Sequence, residues 1–223
     1  MASTDFIEDE QRRSYLTTIH TRILKGKSTL LIGKCGSGKT ALLKNIKPLS
    51  FTVIPVESLG SPNYILTSIL LKSNYNFTAR SHKSVEYLTA ILNTPKITIL
   101  LDDINDLRPG FFRFLKRMMD AGIPLVMAGT PEITTLLKQN HEDVLARLRI
   151  LKLTPLSILD FKDNYAQFEK DTLELISGFS FGNMWIFKEI CEEGLEKLKE
   201  AGLTKVTVNL VHQIIQKYQS PAL

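Results

Sequence analysis

Three observations predict an α/β fold: a phosphate-loop parallel β-sheet flanked by helices and followed by a small all-helical domain. Short apolar runs alternate with stretches of helical spacing as far as Pro155. A glycine-rich loop joins the first of those runs to a helix. Beyond Pro155 the strand pattern stops and helical spacing alone continues. The expected organisation is a phosphate-loop α/β domain over residues 1–155 and a helical domain over residues 156–223.

Asp9 to Ile23 carries apolar residues at helical spacing (Tyr15, Leu16, Ile19, Ile23), which predicts a helix ahead of the first strand. Thr29-Leu30-Leu31-Ile32, ended by Gly33, is a buried strand feeding a glycine turn. Thr40 to Ile46 reads as helix, Phe51 to Val56 as the second strand, and Tyr64 to Leu71 as a helix with an apolar face. A further helix over Ser84 to Leu92 stops at Thr94-Pro95, because the residue before proline is driven out of the helical region. Ile97 to Leu101 has no polar alternation, as a central parallel strand covered on both faces requires. Phe111 to Ala121 is a helix ended by Gly122, Pro124 to Ala128 the fourth strand and Ile150 to Leu153 the fifth. In the second part Ser157 to Phe168, Leu173 to Ser177, Met184 to Ala201 and Asn209 to Tyr218 read as helical, punctuated by Gly178, Gly182, Gly194 and Gly202.

Composition narrows the classes. Hydrophobic residues make up 43% and charged residues 23% of the 223, which excludes a wholly disordered chain. No apolar run approaches the roughly 18 residues of a membrane-spanning helix, and the polar, partly acidic start lacks the pattern of a secretory signal. Two cysteines, Cys35 and Cys191, make neither a disulfide framework nor a zinc site, so the expected compartment is reducing and cytoplasmic. The net charge of +5 permits contact with nucleic acid without requiring it.

The strongest chemical signal is Gly33-Lys34-Cys35-Gly36-Ser37-Gly38-Lys39-Thr40, a full match to G-x-x-x-x-G-K-[ST] between a strand and a helix. Its glycines let backbone N–H groups turn inward around phosphate oxygens, and the following helix start adds a favourable partial charge. Lys39 would reach the β- and γ-phosphates, the Thr40 hydroxyl would join a Mg²⁺ shell, and Ala41 completes the nucleotide-binding set. Asp102 and Asp103 close the third strand at its carboxyl end, where ligand sites of open parallel sheets lie. Asp102 would hold Mg²⁺ through water, and Asp103 would orient or deprotonate the attacking water. Many sites of this design carry glutamate at the second position; the shorter aspartate implies slow hydrolysis. Ala128-Gly129-Thr130-Pro131-Glu132 follows the fourth strand, where the Thr130 hydroxyl can sense the γ-phosphate or the attacking water. The same residues also fit a helix start with Thr130 as N-cap and Pro131 in the first position, and the two roles are compatible. Ahead of the fifth strand, Arg147 is preferred over Arg149 as a guanidinium offered to the γ-phosphate of a neighbouring subunit.

In this order and with a helical appendage, these elements resemble the AAA+ ATPases over nearly the whole chain. Within that superfamily, the run from Asp5 to Arg13 is similar to the helix bordering the adenine in the origin-recognition and initiator branch. Val56 to Pro62, the Asp102-Asp103 strand, the Thr130 turn, Leu145-Ala146-Arg147 and Leu153 to Ser157 resemble that branch and the transposon target-selection ATPases, phage Mu B protein and its relatives. The resemblance implies ATP and Mg²⁺ as ligands, ATP hydrolysis, a homo-oligomer with an arginine supplied in trans, and double-stranded DNA as partner. It points to a regulator of transposition or replication, with a transposase or a helicase as protein partner. Two departures stand out. Gly182-Asn183-Met184-Trp185-Ile186-Phe187-Lys188 lacks the nucleotide-contacting lid arginine; Lys188 lies one turn on, and Met184 and Trp185 read equally well as lid core. The chain also leaves no room after the lid for the winged helix of origin-binding initiators, which weighs against a stand-alone initiator. A protein-directed loader or adaptor and a slowly hydrolysing nucleotide switch are the alternatives. Elsewhere, His20, His82, His141 and His212 have no metal-ligand spacing, and Phe111, Phe112 and Phe114 read as core. Lys116 and Arg117 read as a solvated helix face, and Cys35 is a candidate for oxidation inside the phosphate loop.

Overall fold

The computed structural model describes residues 9–47, 52–56, 97–107, 109–157, 160 and 162–219. The helices expected over Tyr64 to Leu71 and Ser84 to Leu92, the residues before Asp9 and those of the Val56 to Pro62 run beyond Val56 lie outside them. By contacts the chain divides into two units, one of Glu10–Gly33 and Lys39–Leu153, the other of Met1–Asp9, Lys34–Gly38 and Thr154–Leu223.

The first unit is built on five parallel strands: β1 (Ser28–Ile32), β2 (Thr52–Val56), β3 (Ile97–Leu101), β4 (Leu125–Gly129) and β5 (Leu148–Lys152), in the order β2-β3-β4-β1-β5. Every residue of β1, β3 and β4 is buried, as their unbroken apolar runs require. The outer strands are marked by what a central strand excludes. Exposed Pro55 sits in β2, and β5 turns Arg149 and Lys152 to solvent. Helix α1 (Glu10–Leu24) buries Ile19 and Ile23 and donates from Arg22 Nη2 to the Ser28 carbonyl at 2.6 Å. The short α2 (Lys39–Lys44) follows the glycine loop. Helix α3 (Pro109–Asp120) places Phe111, Phe112 and Leu115 in the core with Leu30, Ile99 and Leu125. Helices α4 (Glu132–Asn140) and α5 (Glu142–Leu145) then lead to β5. Because all strands run parallel, the carboxyl ends of β1, β4 and β3 lie side by side on one edge of the sheet.

The second unit contains α6 (Lys170–Ser180), α7 (Met184–Glu200) and α8 (Val208–Gln219), packed through Ile176, Phe187, Ile190, Val211 and Ile214. Tyr165 meets Phe168 and Phe187 edge-on, with ring centroids 5.9 and 5.4 Å away, and burial pushes its phenol up to about 12. Two expectations are corrected here. The described residues of Ser157 to Phe168 are not α-helical: they hold a 3₁₀ turn over Lys162–Tyr165, after which Phe168 forms a parallel bridge with Val206. Trp185 is not lid core either, being 69% exposed, while Met184 packs against the cluster. Among the described residues no helix is long and apolar enough to cross a membrane.

Candidate functional site

In the sheet unit the glycine loop begins where β1 ends, with Gly33 N–H donating to the Gly129 carbonyl at 3.2 Å. Lys39, the first residue of α2, is only 7% exposed, and its ammonium donates to the Gly33 carbonyl at 2.9 Å. A buried ammonium held by a neutral carbonyl is ready to exchange it for a charge-assisted bond to phosphate. Thr40 Oγ1 donates to Asp102 Oδ2 at 2.5 Å, and the Asp103 N–H donates to Asp102 Oδ1 at 3.0 Å. A hydroxyl and a carboxylate from separate elements are thus in contact. Hard oxygen donors of this kind suit Mg²⁺, which takes one or two protein carboxylates and fills its shell with water and phosphate. No group of three or more His, Cys, Asp or Glu that could hold a metal is present among the described residues. Ala41 continues α2, half-buried.

Asp103 is exposed and left-handed, at φ 49° and ψ 50°, a region that aspartate tolerates better than most residues. Thr130 lies beyond the end of β4 and is gripped by Asn105, which the sequence reading missed. Asn105 Oδ1 accepts the Thr130 N–H at 2.7 Å, and its Nδ2 donates to the Thr130 hydroxyl at 2.8 Å. The hydroxyl in turn bonds the Glu132 carboxylate, and that bond holds the carboxyl below the usual carboxylate range. The Thr130 hydroxyl is thus engaged by Asn105 and Glu132, while Pro131, with helical φ −56° and ψ −28°, leads into α4 at Glu132 and the Thr130 carbonyl accepts the Ile133 N–H at 3.1 Å. Asn105 carries no signal of its own in the sequence, since an asparagine after an acidic pair reads as a turn former.

Arg147 is not brought to this cluster. The register pairs Ser28 with Leu148, so Arg147 stands at the amino edge of the sheet while Gly33 follows its carboxyl edge. The two ends are separated by a strand's length, roughly 16 Å at ~3.3 Å per residue. There Arg147 Nε donates to Asp120 Oδ1 at 2.6 Å, and Nη1 donates to the Asp143 carbonyl.

Within the helical unit, the Met184 N–H donates to the Gly36 carbonyl at 3.0 Å, and Asn183 caps α7 by accepting the Trp185 N–H at 3.0 Å. Gly36 has φ 72°, and a Cβ there would come within 1.9 Å of Asn183 Oδ1, so only glycine fits. Ser37 N–H donates to the Lys34 carbonyl at 3.2 Å, Ser37 is buried, and Cys35 is an exposed free thiol. Lys188 is half-buried on α7.

A family model described as AAA domain matches residues 23–137. A comparison with curated proteins gave no match. Among solved structures, the chain is similar to the Aeropyrum pernix ORC1 protein in complex with DNA, with TM-score 0.73 and 17% identity, covering 98% of this chain and 68% of that one. The Aeropyrum pernix ORC2 protein, in its ADPNP–ADP complexes, aligns with TM-score 0.70 and 15% identity over 96% of this chain and 68% of that one. The Thermotoga maritima RuvB Holliday junction branch migration motor aligns with TM-score 0.63 and 16% identity, over 95% of this chain and 70% of that one. The chain thus spans about two thirds of the length of these structures, and at such identities the likeness establishes the fold.

Proposed function

The chain belongs to the AAA domain family, and from that premise we propose that it binds ATP with Mg²⁺ at Gly33–Ala41 and hydrolyses the γ-phosphate as a homo-oligomer on double-stranded DNA. The observation that carries this reading is the 2.5 Å contact of Thr40 with Asp102 beside buried Lys39. In this proposal Lys39 releases the Gly33 carbonyl and neutralises phosphate oxygens. Thr40 and Asp102 would hold the metal, which when bound supplies charge neutralisation across the β- and γ-phosphates. Asp103, exposed beside Asp102, orients or deprotonates the attacking water. Thr130 senses the γ-phosphate by exchanging its bond to exposed Glu132, while Asn105 keeps it in place. Arg147, a strand's length from its own loop, serves the nucleotide of a neighbouring copy. The division into residues 1–155 for nucleotide and 156–223 as lid belongs to the same proposal. The net charge of +5, with the similarity to a structure solved on DNA, supports duplex DNA as partner and a role in replication or transposition.

One observation favours a second reading, a loader or adaptor directed at a helicase or transposase. Phe181 is 84% exposed and Trp185 69%, an apolar pair suited to a protein surface. The steady-state ATPase rate, followed across protein concentrations with and without duplex DNA, separates the two. A rate per subunit that rises with concentration and again with DNA is expected; a rate indifferent to DNA selects the protein-directed reading. Lys39→Ala is expected to abolish tight ATP binding, and wild-type affinity in that variant removes the nucleotide assignment altogether.

A further inference from the structure

The amino edge of the sheet carries a cleft of ≈ 590 Å³ whose lining includes Arg22, Lys27, Ser28, Asp120, Arg147 and Arg149. Four cationic side chains face one carboxylate there, and that carboxylate is already engaged: Asp120 Oδ1 accepts from Arg147 Nε at 2.6 Å. Arg22 is fixed by its backbone contacts, with Nε 3.2 Å from the Ser28 carbonyl and Nη2 at 2.6 Å from the same oxygen. Nε also lies 3.2 Å from Thr29 Oγ1, which leaves the remaining N–H groups of a rigid fork to face the cleft. Arg149, paired with Thr29 in the strand register, comes up beside it. Burial first, and then this second guanidinium, lower the Arg22 pKa. Among the described residues the side chains of Lys27 and Arg149 have neither a hydrogen bond nor an ion pair. Two like charges brought together on a firm backbone without a counter-charge are relieved by a multiply charged anion, and planar guanidinium forks match phosphate geometry.

We propose that this cleft is a second anion site, taking a phosphate group between Arg22 and Arg149 with Lys27 at its rim. Its separation from the glycine loop by the length of β1 means that the nucleotide of the same chain is not its ligand. The phosphate is then carried either by the backbone of duplex DNA or by nucleotide on another copy. The site does not depend on the glycine loop, so it is tested in the full-length Lys39→Ala protein by calorimetric titration with tripolyphosphate at low salt. Binding of one equivalent is expected, weakened about ten-fold or more by adding Arg149→Ala. Absence of binding in the Lys39→Ala protein, or equal affinity with and without Arg149, overturns the proposal. Lys27→Ala at the exposed rim is expected to weaken tripolyphosphate binding in the same direction, and keeps the test open should Arg149→Ala fail to fold. The unliganded Arg149→Ala protein is expected to melt no lower than its parent, because it loses a repulsion. A lower melting point with unchanged tripolyphosphate affinity makes Arg149 a structural residue and overturns the proposal. A labelled DNA duplex identifies the source: weakened duplex binding with a salt slope reduced by about one assigns the site to the DNA backbone. Unchanged duplex binding with weakened tripolyphosphate binding assigns it to nucleotide phosphates.

Discussion

Asp103 shows how much one backbone angle matters. Its left-handed conformation turns the chain sharply after β3, while its N–H fixes one oxygen of Asp102 and leaves the other to Thr40. Asparagine tolerates the same conformation, so Asp103→Asn tests the carboxylate rather than the turn. ATP affinity is expected to survive, and assembled turnover to fall about 10²-fold or more, the usual effect of removing a general base. Turnover equal to the parent's would take Asp103 out of the reaction. Lys39, Thr40 and Asp102 stand out in the sequence through the G-x-x-x-x-G-K-[ST] match and the acidic end of an apolar strand, and the structure brings Thr40 and Asp102 into contact. Asn105 does not, because its role rests on Thr130 arriving from the next strand. The two cysteines divide by burial. Cys35 is exposed in the loop, whereas burial, and then Glu192, drive the Cys191 thiol pKa far up and leave it inert.

Three residues carry the chain from α6 to α7. Phe181 terminates α6 at φ 49° and is followed by Gly182 at φ 78°, then by Asn183 as the cap of α7. A bulky residue in the left-handed region costs about 1–2 kcal/mol, against roughly 0.5–1 for the extra backbone freedom of glycine. Phe181 is 84% exposed, so little burial offsets that cost. Phe181→Gly is therefore expected to raise the melting temperature by about 2 °C in a chain of this size, as a thermal unfolding curve would show. A fall instead would mean that the aromatic ring is held by contacts its exposure does not reveal. Strands and long helices were readable in the sequence because apolar runs and helical spacing are local signals. The 3₁₀ turn before Phe168 was not, because Phe168 is held extended by Val206, a partner far along the chain.

For the molecule as an assembly, the location of Arg147 is the deciding fact. A guanidinium at the opposite sheet edge from its own glycine loop acts, in the function proposed, on another copy's nucleotide. Arg147→Ala carries an intact loop and Lys39→Ala an intact arginine. Each alone is expected to be nearly inactive, the former by about 10³-fold, and their mixture to regain turnover through mixed interfaces. A mixture no faster than its components would remove the trans role. Loss of the Arg147–Asp120 pair is expected to alter stability by less than about 1 kcal/mol, since its two side chains are 36% and 46% exposed. Reduced turnover in folded Arg147→Ala protein therefore reports on assembly rather than on unfolding.

The glycine loop, the buried strands and the helical second part were written into the sequence, because each depends on residue types within a few positions of one another. Gly36 is the sharpest example: its left-handed backbone is a demand that a glycine pattern announces in advance. The order β2-β3-β4-β1-β5 is a different kind of fact. Which strand lies beside which is settled by burial and crossover geometry over the whole chain, and no local pattern records it. That order joins Thr40 to Asp102, closes Asn105 on Thr130, and sets Arg147 and the Arg22–Arg149 cleft on the far edge of the sheet.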